Sequence, residues 1–568
     1  MYTKQKAIQE AITSLKKAIG KKFLVTVDMF DAPPDRKMGD IAFPCFELAK
    51  GEGRNPVEIA TELAASIGPT TFIEKIIAVG PYVNFHFNDE AVFSAVLEDV
   101  KRAGTKYGFG ESGKDRKVLV EYAQPNTHKE FHVGHIRNAV LGQAVLNILK
   151  VNGYETVGAA YIGDIGAHVA KALWGFQKFQ GDAELVKEDR TKRLQEIYTE
   201  ATTYVAEHEE AKAEIDAVQR DLEAREDEIT KLWKETRQWS IQEFERIFEL
   251  LHVSPDVWYY ESEVEEGGKE LVKKMLTDGI AKKSEGATIV DLEAENLGAF
   301  LILKTDGSSL YATKDLALAY KKDKQFSPDR QIFVVDNRQS LYFKQLFATL
   351  KLMGFQEKLV HLAYDMVNLP EGAMSSRAGN IVTFNDLHQT MVGAIKRETA
   401  ERHPDWSEKQ LNKVAETVAI SAINFMMLRQ DPNTIITFDM AEALSFDGFT
   451  GPYILYTIAR IESIKAKTKI KPKYTKGLLT SEKEEALIRT IADYPLVIQK
   501  AGQTFNIASI AQWAFDTAKM FAEYYHEVRI VEEEDKVGTS ARLALIDAVR
   551  QTLDNACEIL GMETLKEM

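Results

Sequence analysis

A short apolar strand that leads through a turn into a His-x-Gly-His step constrains this chain more than any other feature. The strand covers Val118–Tyr122, the turn contains Pro125 and Asn126, and the step His132–His135 opens a helical pattern that ends at Asn152. A strand that feeds a helix in this way begins a parallel α/β sheet, in which ligands lie beyond the carboxyl ends of the strands. The pattern therefore predicts a ligand site at the start of this helix.

The residue types in the step suit a phosphate. The first turn of a helix offers unpaired N–H groups and the positive end of the helix dipole. Gly134 lacks the Cβ that would hold a nucleotide away from the backbone. His132 and His135 can each donate a hydrogen bond to phosphate oxygens as negative charge develops there. We expect His132, Gly134 and His135 to contact the phosphates of a nucleotide such as ATP.

The composition limits the class of protein. A length of 568 residues suggests about three or four domains. The net charge of −15 argues against a protein that coats DNA, although it does not exclude a nucleic-acid partner, because binding depends on local charge. Cys45 and Cys557 are too few for a cysteine-rich zinc site, and they fit a reducing cytoplasm. No apolar run reaches the ~18 residues of a membrane-spanning helix. We expect a cytoplasmic protein without zinc, DNA or a membrane as partner.

Two basic clusters are candidates for contact with nucleic acid. One contains Lys16, Lys17, Lys21 and Lys22, and the other consists of the lysines between Lys465 and Lys476. A solvated face or loop explains either cluster equally well when it is taken alone.

The chain divides into three regions. Residues 1–112 resemble a small α+β domain, with helical patterns over the first 18 residues and Asn55–Ile67. Strand patterns there cover Phe23–Val27, Ile76–Val79 and Tyr82–Phe87. Residues 113–390 have the strand–helix alternation of a parallel α/β domain, and residues 391–568 are almost wholly helical.

The α/β region contains an insertion at about 181–285. Residues Asp182–Glu249 are dense in Glu, Lys and Arg at helical spacing, which predicts a solvated helical hairpin. Strand patterns return afterwards at Thr288–Leu292, Phe300–Leu303 and Gln331–Val335.

The stretch Glu121–His135 resembles the first signature of class I aminoacyl-tRNA synthetases, in the form found in the arginyl-tRNA synthetase family. Further segments resemble the same family along essentially the whole chain. Tyr161–Gly166 resembles its Ile-Gly-Asp-Trp-Gly segment, with Ile165 at the tryptophan; Tyr311–Asp315 its Tyr-x-x-x-Asp segment; Gln339–Phe343 its Gln-Asp-Leu-His-Phe segment; Met374–Asn380 the second signature, Lys-Met-Ser-Lys-Ser; and Ala443–Phe446, Thr450–Tyr453 and Arg542–Gly561 its anticodon-binding helices. The combination is highly specific.

The resemblance implies a Rossmann-type parallel-sheet catalytic core with a helical insertion. It also implies an N-terminal α+β domain that touches the tRNA elbow and a C-terminal all-α domain that binds the anticodon. The implied activity is ATP-dependent ligation of L-arginine to tRNA(Arg) through arginyl-adenylate, with tRNA needed before the adenylate forms. Mg²⁺ would arrive bound to ATP, and we expect a monomer.

The residue types agree with an arginine pocket. A guanidinium is recognised best by a planar carboxylate, and Tyr311 and Asp315 lie four residues apart, on one helical face. The resemblance implies that Tyr311 and Asp315 hold the guanidinium and that Glu121 and Asn126 hold the α-amino group. It implies that Gln339 also faces the substrate. Further candidate contacts are Asp164 and His168, whereas His128 receives no role.

The second signature departs from the family pattern. Ala373 and Ser376 stand at its two lysine positions, and Arg377 stands at the final serine. We expect Met374, Ser375 and Ser376 to bind ATP, and Ser375 and Arg377 to take part in catalysis. The missing second lysine normally steadies pyrophosphate. Lys129, just before the His-x-Gly-His step, and Arg377 are alternative sources of this charge, and we favour Lys129.

Three other classes of protein compete with this interpretation. A cysteinyl enzyme needs zinc-ligating cysteines that two distant residues cannot supply. A small nucleotidylyltransferase also uses His-x-Gly-His but has no use for the long helical region that follows. A non-catalytic module that senses arginine or tRNA is expected to lose the histidines, and both are present.

Overall fold

A computed structural model describes residues 1–20, 23–180, 190–370 and 382–568. The helices within these ranges are α1 (Thr3–Ile19), α2 (Phe46–Glu52), α3 (Pro56–Ser66), α4 (Asp89–Ala103), α5 (Val133–Val151), α6 (Ala167–Phe179), α7 (Arg190–Glu207), α8 (Ala211–Glu223), α9 (Asp227–Leu250), α10 (Glu261–Thr277), α11 (Tyr311–Phe326), α12 (Ser340–Leu352), α13 (Phe384–Arg402), α14 (Glu408–Leu428), α15 (Met440–Leu444), α16 (Gly451–Ala466), α17 (Glu482–Thr504), α18 (Ala508–Glu527) and α19 (Lys536–Ile559). The strands are β1 (Ile41–Pro44), β2 (Ile73–Val79), β3 (Tyr82–Phe87), β4 (Lys117–Tyr122), β5 (Glu155–Ile162), β6 (Val257–Tyr260), β7 (Lys282–Ser284), β8 (Ala287–Asp291), β9 (Ala299–Leu303), β10 (Arg330–Asp336), β11 (Lys358–Tyr364), β12 (Val367–Asn368) and β13 (Ile436–Thr437).

The N-terminal region is built on a three-stranded antiparallel sheet in the order β1-β3-β2. Helices α1 and α3 pack on it, as their apolar patterns predict. The strand predicted over Phe23–Val27 does not form. Val25 is buried, but Leu24 and Val27 are 70% and 50% exposed, and Val27 begins a short 3-10 helix instead of continuing an extended strand. The strand paired with β3 on that side is instead β1.

The central region contains a five-stranded sheet in the order β11-β10-β4-β5-β6, and every strand pair in it is parallel. If the five strands are numbered 1 to 5 in the order in which they occur along the chain, their order across the sheet is 5-4-1-2-3. This is a Rossmann-type order. The order reverses between β4 and β10. Ligands of such sheets bind in the crevice at this point, beyond the carboxyl ends of the strands. Of the predicted site residues, Glu121 lies in β4, the His-x-Gly-His step follows β4, Asp164 and His168 follow β5, and Gln339 follows β10, whereas Tyr311 and Asp315 lie on α11.

The predicted insertion differs in two respects. The described part of the stretch predicted as a hairpin, Asp182–Glu249, contains the three helices α7, α8 and α9. Further along the predicted 181–285 range, β6 pairs with β5 in the core sheet. A four-residue strand is too short to be recognised by periodicity. In addition, β8 and β9 join β7 in a separate antiparallel sheet.

The C-terminal region is a helical bundle in which α16, α18 and α19 pack together over a continuous apolar core. It also contacts the N-terminal region. Arg489 of α17 donates to Asp40 at 2.6 Å and also to Asp89, while Arg36 reaches Glu485 at 3.0 Å. Across the described ranges, no helix is both long and apolar enough to cross a membrane.

Candidate active site

The His-x-Gly-His step forms the first turn of α5, with His132 as its N-cap. The Gly134 N–H donates to His132 Nδ1 at 3.1 Å, and the His132 N–H donates to His135 Nδ1 at 3.3 Å. The two imidazoles stack with their centroids 3.8 Å apart. Because each Nδ1 accepts a hydrogen bond, a neutral ring carries its proton on Nε2. Both histidines therefore keep Nε2–H as the donor for a ligand.

The protein environment keeps these histidines neutral. Burial, with the nearby charge of Lys129, lowers the pKa of His132 to about 4. Burial and the neighbouring His132 lower the pKa of His135 well below its ordinary value. At neutral pH each ring is thus an uncharged hydrogen-bond donor.

The packing around Gly134 gives a second reason for a glycine at this position, in addition to the predicted approach of a ligand. A Cβ at Gly134 would lie 3.1 Å from His132 Cε1 and 3.2 Å from its Nδ1. A larger residue would therefore push the His132 ring away from its stacked position.

A carboxylate cluster, consisting of Glu121, Glu261 and Asp315, lies at the other end of the site. Asp315, on α11, accepts a hydrogen bond from the Tyr342 hydroxyl of α12. Burial raises the pKa of Asp315 to about 7, the Tyr342 hydroxyl opposes this shift, and the charges of Glu121 and Glu261 add to it. A carboxylate with so much negative charge around it favours a cationic ligand.

Two buried lysines balance part of this charge. Lys322, fully buried, pairs with Glu121, whose other oxygen accepts from Gln124 at 2.9 Å. Lys314 Nζ lies 2.6 Å from a Glu261 oxygen. Both lysines lie on α11, and sequence reasoning missed them because a buried lysine has no local pattern. The Glu121 carboxylate, predicted to hold the α-amino group, thus already has partners within the protein.

Two tyrosines beside the cluster were also missed, although both lie in segments that resemble the family. Tyr342 binds Asp315. Tyr161 is 9% exposed, and its hydroxyl has no hydrogen-bond partner among the described residues. A buried hydroxyl without a partner is costly, so Tyr161 is a candidate ligand contact.

Of the other predicted arginine contacts, two are exposed at the surface and one forms a backbone bridge to the end of β5. Tyr311 begins α11 and is 69% exposed, and Gln339 is exposed in the loop after β10. Asn126 forms a parallel bridge with Gly163 at the end of β5. A Cβ at Gly163 would lie 2.1 Å from Asn126 Oδ1, so only glycine allows this approach.

Asp164 and His168 have contrasting environments. Asp164 is fully buried, and its carboxylate accepts from Arg237 Nε at 2.7 Å and from the Ser262 N–H and hydroxyl at 2.9 and 2.7 Å. These bonds tie the end of β5 to α9 and α10, and the substrate contact of Asp164 stays a prediction. His168 has a buried Nε2 without a partner among the described residues, and burial lowers its pKa to about 3. It stays a candidate contact.

His128, which received no role, is a structural residue. Its ring lies between the Thr127 hydroxyl at 2.9 Å and the Thr236 hydroxyl at 2.8 Å, and its backbone φ of 63° turns the loop. These contacts fix the loop before the His-x-Gly-His step against α9.

Lys129 faces the phosphate end of the site. Its charge contributes to the lowered pKa values of His132, His135 and His168. The second-signature residues Met374, Ser375, Ser376 and Arg377 lie outside the described residues. The choice between Lys129 and Arg377 therefore stays a prediction.

No group of three or more His, Cys, Asp or Glu side chains in the described part of the chain is arranged to hold a metal ion. The expectation that Mg²⁺ comes with ATP stays a prediction.

A Rossmann-type sheet with a His-x-Gly-His step at the start of the helix after its first strand is the arrangement of class I aminoacyl-tRNA synthetases. Comparison with known families agrees along the chain. Residues 97–440 match the family described as tRNA synthetases class I (R), catalytic domain. Residues 3–87 match the arginyl tRNA synthetase N terminal domain, and residues 454–568 match the DALR anticodon binding domain. The chain belongs to the arginyl-tRNA synthetase family.

Individual relatives agree over their whole lengths. The chain is 36% identical to an arginine–tRNA ligase of Bdellovibrio bacteriovorus, covering 98% of each protein, and 34% identical to that of Clostridioides difficile, covering 95% of each. The solved arginyl-tRNA synthetase of Thermus thermophilus superposes with a TM-score of 0.83 at 25% identity, over 99% of this chain and 100% of that one.

Proposed function

We propose that this protein is an arginine–tRNA ligase that activates arginine with ATP and transfers it to tRNA(Arg). The observation that supports this most directly is the pairing of two ends of one site. Neutral Nε2–H donors of His132 and His135 suit phosphate oxygens, and the Asp315 carboxylate suits a guanidinium.

The arginine carboxylate attacks the α-phosphorus of ATP, and the bond from that phosphorus to the bridging oxygen breaks. Arginyl-adenylate forms and pyrophosphate leaves. Mg²⁺ that comes with ATP would neutralise part of the phosphate charge. His132 and His135 donate to the phosphate oxygens as charge develops, and Lys129 meets the charge on the leaving group. Asp315 orients the guanidinium. A hydroxyl of the terminal adenosine of the tRNA then attacks the arginyl carbonyl; by resemblance to the family this is the 2′-hydroxyl. The ester bond forms, the bond to the phosphate breaks, and AMP leaves together with the hydroxyl proton.

The remaining parts of the proposal concern tRNA. The N-terminal region contacts its elbow, the C-terminal helices contact its anticodon, and bound tRNA is needed before the adenylate forms. We propose that the protein acts as a cytoplasmic monomer.

Arginine-dependent exchange of pyrophosphate into ATP tests the activity. We expect exchange with arginine and tRNA(Arg), little exchange without tRNA, and none with lysine or citrulline. Citrulline has the length of arginine without its charge, so it tests the carboxylate directly. Absence of arginine-dependent exchange under all conditions would exclude the proposed function; exchange without tRNA would exclude only the tRNA requirement.

A further inference from the structure

Two lysines at the phosphate end of the site face the same aromatic ring. Lys129 Nζ lies 5.3 Å from the ring centroid of Tyr198, and Lys171 Nζ lies 5.5 Å from it. Lys171 belongs to α6, and Tyr198 belongs to α7, the first inserted helix. Within the described ranges, neither lysine has a carboxylate at ion-pair distance.

A third lysine provides a useful comparison. Lys178 lies two turns farther along α6, 4.7 Å from the ring of Trp174 and 4.2 Å from that of Tyr204. It also has an acidic partner, Glu214, at 3.7 Å. Contact between a lysine and an aromatic ring therefore occurs more than once on this helix. The pair at Tyr198 differs because two lysines share one ring and neither has an acidic partner among the described residues.

The electrostatics of the lysine pair are unfavourable as the protein stands. Burial lowers the pKa of Lys129, and the charge of Lys171 lowers it further. Burial also lowers the pKa of Lys171. Like charges in a partly desolvated position favour an anion between or beside them, and such arrangements are frequent at functional sites.

The position of the pair indicates which anion. The charge of Lys129 acts on His132, His135 and His168, so the pair lies on the side where the phosphates are expected. His168 stands three residues before Lys171 on the same helix, and its Nε2 is buried without a partner among the described residues. The cationic pair therefore lies on the flank of the step that faces the start of α6.

We propose that Lys171 is a second phosphate-binding cation, which acts with Lys129 on the β- and γ-phosphates of ATP and on the pyrophosphate that leaves, and that Tyr198 positions both ammonium groups. This inference rests on the proposed function. It gives the inserted helix α7 a part in substrate binding. It also supplies positive charge from described residues where the second signature lacks its lysine.

The test compares Lys171→Ala with Lys178→Ala in the full-length protein. Pyrophosphate exchange with tRNA present should show the KM for ATP and for pyrophosphate raised about tenfold or more by Lys171→Ala, the loss expected for one charge-assisted contact. The KM for arginine and the binding of AMP, which lacks the outer phosphates, should be unchanged. Lys171→Arg should restore much of the loss. Lys178→Ala should behave as wild type.

Tyr198 separates positioning from direct contact. Tyr198→Phe keeps the ring and should keep the KM for pyrophosphate, while Tyr198→Leu removes the cation–π contact and should raise it. The helix α7 packs elsewhere through Leu194 and Ile197, so the substitution does not remove its main apolar contacts.

A measurement on the unmodified protein avoids dependence on the variants. Inorganic pyrophosphate should protect Lys129 and Lys171 from acetylation, detected by mass spectrometry, and should not protect Lys178. The proposal is overturned if Lys171→Ala and Lys178→Ala have the same KM for pyrophosphate, or if Lys171→Ala raises only the KM for tRNA, which would assign the pair to the tRNA backbone. Wild-type protein without arginine-dependent exchange would instead count against the proposed function.

Discussion

At the scale of single residues, the site sets protonation states at its two ends by burial. Desolvation keeps the His132 imidazole uncharged, with a pKa of about 4, so that it donates a hydrogen bond without adding charge. Desolvation and neighbouring carboxylates raise the pKa of Asp315 to about 7, which makes this carboxyl group ready to gain a cationic partner. Desolvation therefore produces an uncharged hydrogen-bond donor at His132 and, at Asp315, a carboxylate whose charged form would be stabilised by a bound cation.

Replacing Asp315 by Asn should raise the KM for arginine about tenfold or more, because a charge-assisted hydrogen bond contributes about 1.5–3 kcal/mol. The substitution preserves the shape of the side chain and removes its charge. Steady-state exchange kinetics at varied arginine would measure the effect. The KM for ATP serves as the internal control, and an unchanged KM for arginine would refute the assignment.

The KM for arginine should also depend on pH. Below pH 7 the Asp315 carboxyl takes up a proton and loses the charge that binds the guanidinium, so the KM should rise up to about tenfold for each pH unit below the pKa. Above pH 7 the KM should be level. The Asp315→Asn variant should have no such dependence between pH 5.5 and ~7.5, the interval on either side of the pKa of about 7. A wild-type KM that is constant over this interval would contradict the assigned pKa.

Lys129→Ala should lower the kcat for arginyl-adenylate formation by about 10²-fold, the loss typical of one transition-state donor. Arginine KM should change little, and Ser376→Ala should be mild. Arg377→Ala is the decisive comparison, measured by pyrophosphate exchange with tRNA present. If Arg377→Ala strongly lowers this kcat and Lys129→Ala leaves it close to the wild-type value, Arg377 supplies the charge.

At the scale of secondary-structure elements, α11 contributes most of the cationic support for the carboxylate cluster. Lys314 and Lys322 both lie on its buried side, where they pair with Glu261 and Glu121. Glu121 is 201 residues away in sequence, so no local pattern relates the two members of this pair. Sequence reasoning finds an element when its pattern is local, as for α5, and misses a pairing that only the sheet brings together.

Lys322→Met should destabilise the catalytic region by about 3–5 kcal/mol, because it leaves the Glu121 carboxylate buried without its partner. Hydrogen exchange of the β4 amides would measure the loss locally. Adding Glu121→Gln should recover most of it. The neighbouring Lys321 pairs with Glu263 at the surface at 3.2 Å, so Lys321→Met should cost at most about 1 kcal/mol. Equal losses for the two lysines would contradict this account.

The segment after α16 places four lysines in a row toward solvent. Lys467, Lys469, Lys471 and Lys473 are exposed, whereas the residues between them are half-buried. Replacing Lys467, Lys469 and Lys471 by Gln should weaken tRNA binding and reduce the slope of log K against log salt, while ATP affinity should not change. Lys476, exposed but paired with Glu90 at 2.9 Å, is the control substitution. An unchanged slope would mean that the row is only solvated.

At the scale of the whole molecule, the fold of each region is easier to predict from the sequence than the contacts between regions. The parallel core and the helical C-terminal region follow from apolar periodicity. The four-residue β6, the loop over Phe23–Val27 and the ion pairs of Arg489 with Asp40 and Asp89 do not, because each depends on what lies beside it in space. Within the candidate site, the His-x-Gly-His turn at the start of α5 could be predicted from one continuous stretch. Tyr161, Tyr342 and the buried lysines needed the fold.

The contact between the N-terminal and C-terminal regions has a consequence for how the chain is made. Tyr107 donates to the Ile491 carbonyl, 384 residues later, and Asn555 donates to the Gly104 carbonyl across 451 residues. At about 5–20 residues per second, a ribosome needs roughly 20 to 90 s to synthesise that interval. The residues of the N-terminal side of this contact therefore stay without their partners until almost all of the protein has been translated. Nascent chains are open to capture by chaperones at this surface during that interval.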